Sequence, residues 1–293
     1  MPRSADVNYA FQKYVTRTVP QPESVARHAL DTTLSDFPYL IKHLDVALGE
    51  ARCFEFGAGA GLLGPLTFYC LGVNHQILLD IHRLVRPNLV NWAISFLRKQ
   101  KDPEFCRLPH ALVPDGMKGQ PLYDWLKQTY GFDYHAPRDA RNTHFPDESF
   151  DLITARAVFE HVPPADIKAI LSECQRILAR NGVAAFRTDY QDHYSYCDAS
   201  VTIYDFLQYS DSQWRKYSPS LNYTNRLRHR DYLEMFNVTG FEVLDDVAYD
   251  IRDEDLLILK DLPKDTRFRD YTNSELAVRG ALTVLRKAIA TRH

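Results

Sequence analysis

The run Arg52-Cys-Phe-Glu-Phe56, followed at once by Gly57-Ala-Gly59-Ala-Gly61-Leu62, decides how this chain reads. It is a short apolar strand that runs into glycines at alternate positions. Glycine tolerates positive φ and lets backbone come close to a ligand. The helix expected over residues 62–72 starts with N–H groups that have no partner inside the helix, so its start can hold an anionic or carboxylate group. A tight strand-to-helix turn with no ligand would carry the same residues. Gly59-Ala-Gly61-Leu-Leu-Gly64 also fits the GxGxxG fingerprint of dinucleotide sites, with Asp80 about 20 residues on as the ribose-binding acid. Glu55 fits that reading poorly. An acid two residues before the first glycine suits a ligand with a cationic amino group better than a phosphate.

Outward from this turn, strands and helices alternate. Residues 74–80 read as a strand ending in a carboxylate, 84–100 as a helix, 122–129 as a helix, 132–136 as a strand and 150–154 as another. Residues 165–179 form an amphipathic helix closed by Asn181-Gly182, and 183–188 the next strand. A helix at 232–237, a strand at 241–244 and a last strand at 276–286 complete the series. Such alternation implies a mainly parallel sheet covered on both faces, with ligands at the carboxyl ends of its strands. Residues 1–50 read as helical, near 6–17, 23–32 and 36–48, with Pro20 and Pro22 breaking between the first two. The stretch 101–121, with Pro103, Pro109, Pro114 and Pro121, reads as an insertion, either an interface arm or a loop. Residues 190–230 are aromatic and polar without a clear period.

Composition narrows the function classes. A chain of 293 residues suits one large α/β domain or one domain with elaborations. Its 45% hydrophobic and 25% charged residues are those of an ordinary globular protein. A net charge of −3 lacks the basic excess of a nucleic-acid binder, so no nucleic-acid partner is expected. No apolar run approaches the roughly 20 residues of a membrane helix, and no membrane partner is expected. The start, Met1-Pro-Arg-Ser-Ala-Asp-Val7, lacks the apolar core of a secretory signal, so the expected location is cytoplasmic. Five cysteines (Cys53, Cys70, Cys106, Cys174 and Cys197) without a Cys-x-x-Cys argue against a disulfide framework and a structural zinc site. Asp189, Asp192 and His193 match no dedicated metal spacing, so no metal is expected.

Five motifs in order carry a resemblance to a known family. Phe54-Glu-Phe-Gly-Ala-Gly-Ala-Gly-Leu62 resembles the first motif of the class I S-adenosylmethionine (SAM) dependent methyltransferases, and Ile77-Leu-Leu-Asp80 their second. Asp139-Ala-Arg-Asn-Thr-His-Phe-Pro-Asp-Glu-Ser-Phe-Asp151 is similar to their adenine-loop run. Leu152-Ile-Thr-Ala-Arg-Ala-Val-Phe-Glu-His-Val162 resembles the fourth-strand motif with its Glu-His-Val ending. Ile177-Leu-Ala-Arg-Asn-Gly182 stands where the family commonly has Leu-x-Pro-Gly-Gly. Together they span residues 50–190, and a nicotinamide enzyme would not need the last three. The implied fold is α/β: a Rossmann-like, seven-stranded, mainly parallel sheet with helices on both faces. A helical lid over residues 1–50, in which Tyr9, Phe11 and Tyr14 would close on the ligand, precedes a SAM-binding domain over 51–293. An acceptor-pocket insertion is expected between strands five and six at about 190–230.

The resemblance also implies roles. SAM is the expected cofactor, with S-adenosylhomocysteine as product. Its binding set would be Glu55, Gly57, Ala58, Gly59, Gly61, Asp80, Ile81, Asp139, Ala140 and Arg156. The glycines would pass under the methionine part, Asp80 would accept from the ribose hydroxyls, and Asp139 from the adenine amino group beside Ala140. Arg156 would flank the methyl. His193, a group that titrates near neutral pH, is the candidate base, with Asp189 beside it. Arg187, Tyr194, Arg226, Arg228 and Tyr14 are candidate acceptor-binding residues, the arginines as bidentate partners of a carboxylate. The expected substrate is a small polar metabolite, possible acceptor atoms being oxygen, nitrogen and sulfur, with carbon left open too. A homo-oligomer stays open. So do two rival readings: an NAD(P)-dependent oxidoreductase using Gly59–Gly64, and a non-catalytic SAM-fold binding protein. The Ala155-Arg-Ala-Val158 run replaces the Pro-Pro-Tyr motif of base-flipping methyltransferases.

Overall fold

The apolar run before the glycines is strand β1 (Arg52–Phe56), buried at every position but the first. Burial on both faces is what a central strand of a parallel sheet requires. The computed structural model in which this is seen describes residues 20–219, 223–249 and 251–288. β1 pairs in parallel with β2 (His75–Leu79) and with β4 (Phe150–Arg156), and β3 (Phe132–His135) pairs in parallel with β2. The full order is β3-β2-β1-β4-β5-β7-β6, completed by β5 (Leu178–Asp189), β6 (Phe241–Ala248) and β7 (Gly280–Lys287). β7 runs antiparallel to β5 and to β6. The seven-stranded, mainly parallel sheet is thus present.

Among the described residues the helices are α1 (Glu23–Ile41), α2 (Leu63–Cys70), α3 (Pro87–Lys99), α4 (Gln120–Tyr130), α5 (Pro164–Ile177), α6 (Asp211–Tyr217), α7 (His229–Val238), α8 (Asp253–Asp261) and α9 (Asn273–Ala277). Where two segments were expected at 23–32 and 36–48, α1 is continuous and ends at Ile41. Its buried Ala26, Leu30, Thr33, Phe37 and Leu40 recur every three or four residues, the spacing of one helical face. The segment expected at 6–17 lies outside the described residues.

Packing divides the chain into two compact units. One holds the described residues up to Thr154 together with Ile177–Val183, and the other holds Ala155–Arg176 and the described residues from Ala184 onward. In the first, Ala26 and Leu30 of α1 share a core with Leu66, Ile94, Leu126 and Phe132, and Phe37 meets Phe68 with ring centroids 5.6 Å apart. The described part of the expected cap is therefore packed into this core. Residues 101–119 form no helix or strand, yet they are tied down. The Cys106 N–H donates to the Cys70 carbonyl, the Arg107 guanidinium to the Tyr69 and Val73 carbonyls, and the Val113 N–H to Asn91 Oδ1.

The second unit has a core of its own. Tyr204, Phe206, Leu207 and Trp214, from the aromatic stretch, pack with Leu259 of α8, Phe268, and Leu276 of α9. Burying such side chains contributes about 1.5–3 kcal/mol each. The expected last strand is corrected at its start: residues 276–277 belong to α9, and β7 begins at Gly280. Asn181-Gly182 is likewise not a helix cap. α5 ends at Ile177, and β5 runs 12 residues straight through Gly182. A Cβ on Gly182 would stand 2.8 Å from Leu178 Cδ1 and 3.1 Å from the Asp151 carbonyl oxygen, so close packing selects glycine there.

Candidate active site

In the first unit, β1 ends in a turn that only glycine adopts without strain: Gly57 has φ +71° and Gly59 φ +75°. The Gly57 N–H donates to the Leu79 carbonyl (2.8 Å), joining the end of β1 to the end of β2. The Gly59 N–H donates to Asp80 Oδ2 (3.4 Å), and the His82 N–H to Asp80 Oδ1 (3.2 Å). Asp80 is almost fully buried. Burial raises its pKa above the ordinary carboxylate value, and the His82 and Gly59 N–H groups pull it only part of the way back. Among the described residues a Cβ on Gly59 would meet nothing within 4 Å, so they leave this face of the turn open. Ala58 is buried, while Ile81, directly after Asp80, is 56% exposed although apolar. Gly61 lies against Leu89. Glu55 is buried within the sheet and accepts from Thr154 Oγ1 (3.3 Å).

Further along the same unit, the Asp139 carboxylate is gripped by Arg141, through its N–H (2.8 Å) and Nη2 (2.6 Å). That guanidinium holds Asp139 below the usual carboxylate range. Ala140 beside it is buried. A cavity of about 490 Å³ opens near the ends of β2 and β3, lined by Arg83, Tyr123, Tyr134, His135, Pro137 and Arg138. Neither Asp80 nor Gly57, Gly59 or Gly61 lines it.

In the second unit, β4 ends at Arg156, and the chain turns sharply through Ala157, which has φ +51°. A left-handed conformation costs a non-glycine residue roughly 1–2 kcal/mol. It persists where the surroundings fix it, and here the Ala157 N–H donates to the Arg187 carbonyl (2.9 Å). The turn leads into a single 3₁₀ turn, Phe159–His161. Glu160 on it is 3% exposed, and neither carboxylate oxygen has a hydrogen-bond partner among the described residues. Burial pushes its pKa up to about 8, and the charge of Asp189 adds to the rise. The Glu160 and Asp189 N–H groups oppose it without forming hydrogen bonds of good geometry. His161 is exposed, and its Nδ1 lies 2.9 Å from the Tyr223 carbonyl. A carbonyl only accepts, so Nδ1 carries the proton and Nε2 the lone pair.

His193 opens the 3₁₀ turn that follows β5, whose cap is Asp192, accepting from the Tyr194 N–H (2.9 Å). His193 Nε2 lies 3.4 Å from Asp189 Oδ2, an ion-pair distance at which it makes no well-aligned hydrogen bond. The His193 ring lies 5.0 Å from that of His161 and stacks on Tyr196 at 5.2 Å. Asp189 also accepts from the Gln191 N–H (3.0 Å), Gln191 Nε2 (3.1 Å) and Tyr196 Oη. Burial pushes Asp189 up, but the adjacent His193 imidazole and the Tyr196 hydroxyl outweigh it and hold the pKa below the ordinary value. An ionised carboxylate beside an imidazole is an arrangement that can orient the ring to take a proton.

Residues 124–186 match the model of a methyltransferase domain family. The sheet order places that matched stretch, from α4 to β5, in a seven-stranded, mainly parallel α/β fold. Among solved structures, the cyclase SpnF is similar at 13% identity, with 89% of this chain and 82% of that chain covered and a TM-score of 0.50. Geranyl diphosphate C-methyltransferase from Streptomyces coelicolor is similar at 11% identity over 87% of this chain and 77% of that one, TM-score 0.49. The YcgJ protein from Bacillus subtilis is similar at 16% identity over 90% and 100%, TM-score 0.47. No curated relative matches the chain. A cyclase on this fold illustrates that the sheet alone does not fix the reaction.

The expected residues fare differently. Gly57, Ala58, Gly59 and Asp80 come together in one clasp. Asp189 and His193 come together in the second unit, joined by Glu160 and His161, which sequence reasoning quoted only as part of a motif. The usable signal was that the loops carrying them leave β4 and β5, neighbours in the sheet, at the carboxyl ends where ligands bind. Arg187 lies over the Tyr249 ring at 4.9 Å. Tyr194 is partly exposed and donates to the Tyr217 carbonyl at 2.5 Å. Tyr9, Phe11 and Tyr14 lie outside the described residues.

Arg226 and Arg228 require correction as carboxylate partners. Arg226 is 2% exposed; it donates to the Phe206 and Tyr209 carbonyls and pairs with Asp211 Oδ1 at 2.5 Å. Arg228 is fully buried and donates to the carbonyls of Tyr190 (2.5 Å), Leu276 (2.7 Å) and Val278 (2.8 Å). Guanidiniums committed to main-chain carbonyls inside a core hold the fold, not a ligand. Among the described residues, no helix is long and apolar enough to cross a membrane.

Proposed function

We propose that this chain transfers a methyl group from SAM to a small polar metabolite. The observation that carries the reading is the clasp between the Gly59 N–H and Asp80, with the open face of the glycine turn beside it. The residues fit that ligand. A Cβ on Gly59 would project into the open space, and a buried carboxylate with two backbone donors is fixed for ribose hydroxyls. Gly57, Ala58, Gly59 and Gly61 pass under the methionine part, and Glu55 braces the strand beneath them. Ile81 offers an apolar surface to the adenine ring, and Asp139 with Ala140 takes its edge. SAM supplies an activated methyl on a sulfonium that is already a good leaving group, so alignment by the protein provides much of the rate.

The acceptor atom is oxygen, nitrogen or sulfur. An acceptor that must lose a proton needs a base, and His193 held by Asp189 takes that role, with Arg156 flanking the methyl. With Arg226 and Arg228 committed to the fold, Arg187 is the remaining candidate partner for an acceptor carboxylate. Calorimetric titration with SAM, S-adenosylhomocysteine and NAD⁺ tests the reading. Binding of the first two is expected. Binding of NAD⁺ alone would return the glycine turn to the dinucleotide reading, and SAM binding without turnover across a broad acceptor screen would leave a binding protein.

A further inference from the structure

We infer that Glu160, His161 and His193 form a binding site for one divalent first-row metal ion, with Zn²⁺ or Mn²⁺ as the fitting class. The donor atoms of the three side chains all lie within 4.8 Å of one another. Two imidazoles and one carboxylate are a donor set that suits zinc, manganese and ferrous iron, and it does not suit calcium or magnesium, which prefer all-oxygen shells. In a tetrahedral site with bonds of about 2.0–2.2 Å, donors sit roughly 3.4 Å apart, so modest side-chain rotations close the cluster on an ion.

Glu160 is the independent observation. A carboxylate that is 3% exposed, with both oxygens unpartnered, is expensive to keep in a fold. A cation at the cluster would satisfy it. His161 points to the same conclusion from the other side. Its Nδ1–H is spent on the Tyr223 carbonyl, the kind of contact that fixes a ligating histidine with Nε2 free for the metal. Asp189 Oδ2, 3.4 Å from His193 Nε2, places a negative charge at the rim of the cluster. The left-handed Ala157 leads the chain from β4 into the 3₁₀ turn that carries Glu160 and His161, and exposed His161 gives an ion a way in from solvent.

Three protein ligands leave at least one coordination position for water or for an oxygen of an acceptor. With the ion bound, His193 is a ligand and not a base. An acceptor hydroxyl on the open position then loses its proton more readily because of the metal's charge; this link alone rests on the methyl-transfer reading.

The test uses the full chain without a polyhistidine tag, stripped with a chelator. Zn²⁺ affinity is read by competition with a chromophoric chelator, and Co²⁺ loading by its visible ligand-field bands. One equivalent is expected to bind to wild type, and at least tenfold more weakly to Glu160→Gln, His161→Ala and His193→Ala. His161 is exposed, so His161→Ala is expected to keep the wild-type circular dichroism and remains informative if Glu160→Gln fails to fold. No binding at micromolar Zn²⁺, or equal binding by wild type, His161→Ala and His193→Ala, overturns the site. Because the titration contains no SAM, its failure leaves the methyl-transfer reading standing. Failure of SAM binding, in turn, leaves the metal site standing.

Discussion

The two units treat their charged residues in opposite ways. In the first, the polar groups around the glycine turn are only partly used. Asp80 accepts two backbone N–H groups at the long distances of 3.2 and 3.4 Å, and the turn beside it faces open space. In the second, two of the arginines that sequence nominated for a ligand, Arg226 and Arg228, are consumed by the fold, with Arg228 alone donating to three main-chain carbonyls. Residue type therefore says what a group can bind, and packing says whether its donors are already spent. The Glu160 cluster is the exception within the second unit: a buried carboxylate that the fold leaves unpartnered.

Removing Arg228 probes this contrast most severely. Arg228→Met strands three buried carbonyls, and at about 1–3 kcal/mol for each unsatisfied group the loss is on the order of 3–5 kcal/mol after partial relaxation. Urea unfolding should show a large drop in midpoint. A variant of near wild-type stability that loses acceptor binding would instead restore Arg228 to a ligand site.

Asp80→Ala tests the other unit. SAM affinity should fall by about 1.5–3 kcal/mol, roughly 10- to 150-fold, for loss of a charged hydrogen-bond acceptor. Calorimetry reads it directly, and unchanged affinity would remove Asp80 from the site. The pH dependence sharpens this. Burial raises the Asp80 pKa in the free protein, and ribose hydroxyls donate more strongly to the ionised form. Affinity should therefore be full above that raised pKa and fall as pH drops through it, at a pH higher than an ordinary aspartate would give.

Gly59→Ala has the smallest expected effect on the fold, about 1–2 kcal/mol for the left-handed backbone and nothing for clash, since its Cβ meets no atom within 4 Å. The methyl enters the space assigned to the ligand, so SAM affinity should fall more than stability does. Equal losses in thermal unfolding and in SAM titration would show that the turn is merely a turn.

How much of this was legible depended on range. The glycine turn, the acid ending β2 and the mainly parallel sheet are written in short windows, where apolar runs and glycines act on their own neighbours. The 12 residues of β5 were misread at Asn181-Gly182 because a glycine that caps a helix and one that admits a neighbouring carbonyl look alike in sequence. α8 and the true start of β7 were missed for a similar reason. Their apolar residues face a small core shared with Tyr204 and Trp214, and 3.6-residue periodicity is weak in elements of nine and five residues.

The sequence by itself determined the sheet, the glycine turn and the acid beside it, because backbone conformation at Gly57 and Gly59 and burial along β1 follow from local residue type. Tertiary structure alone decided which charged groups remain open to a ligand. It placed Arg226 and Arg228 against carbonyls up to 50 residues away. It also gathered Glu160, His161 and His193 from loops after two different strands. Hydrogen-bond satisfaction is a property of neighbours in space, and those neighbours exist only once the chain has folded.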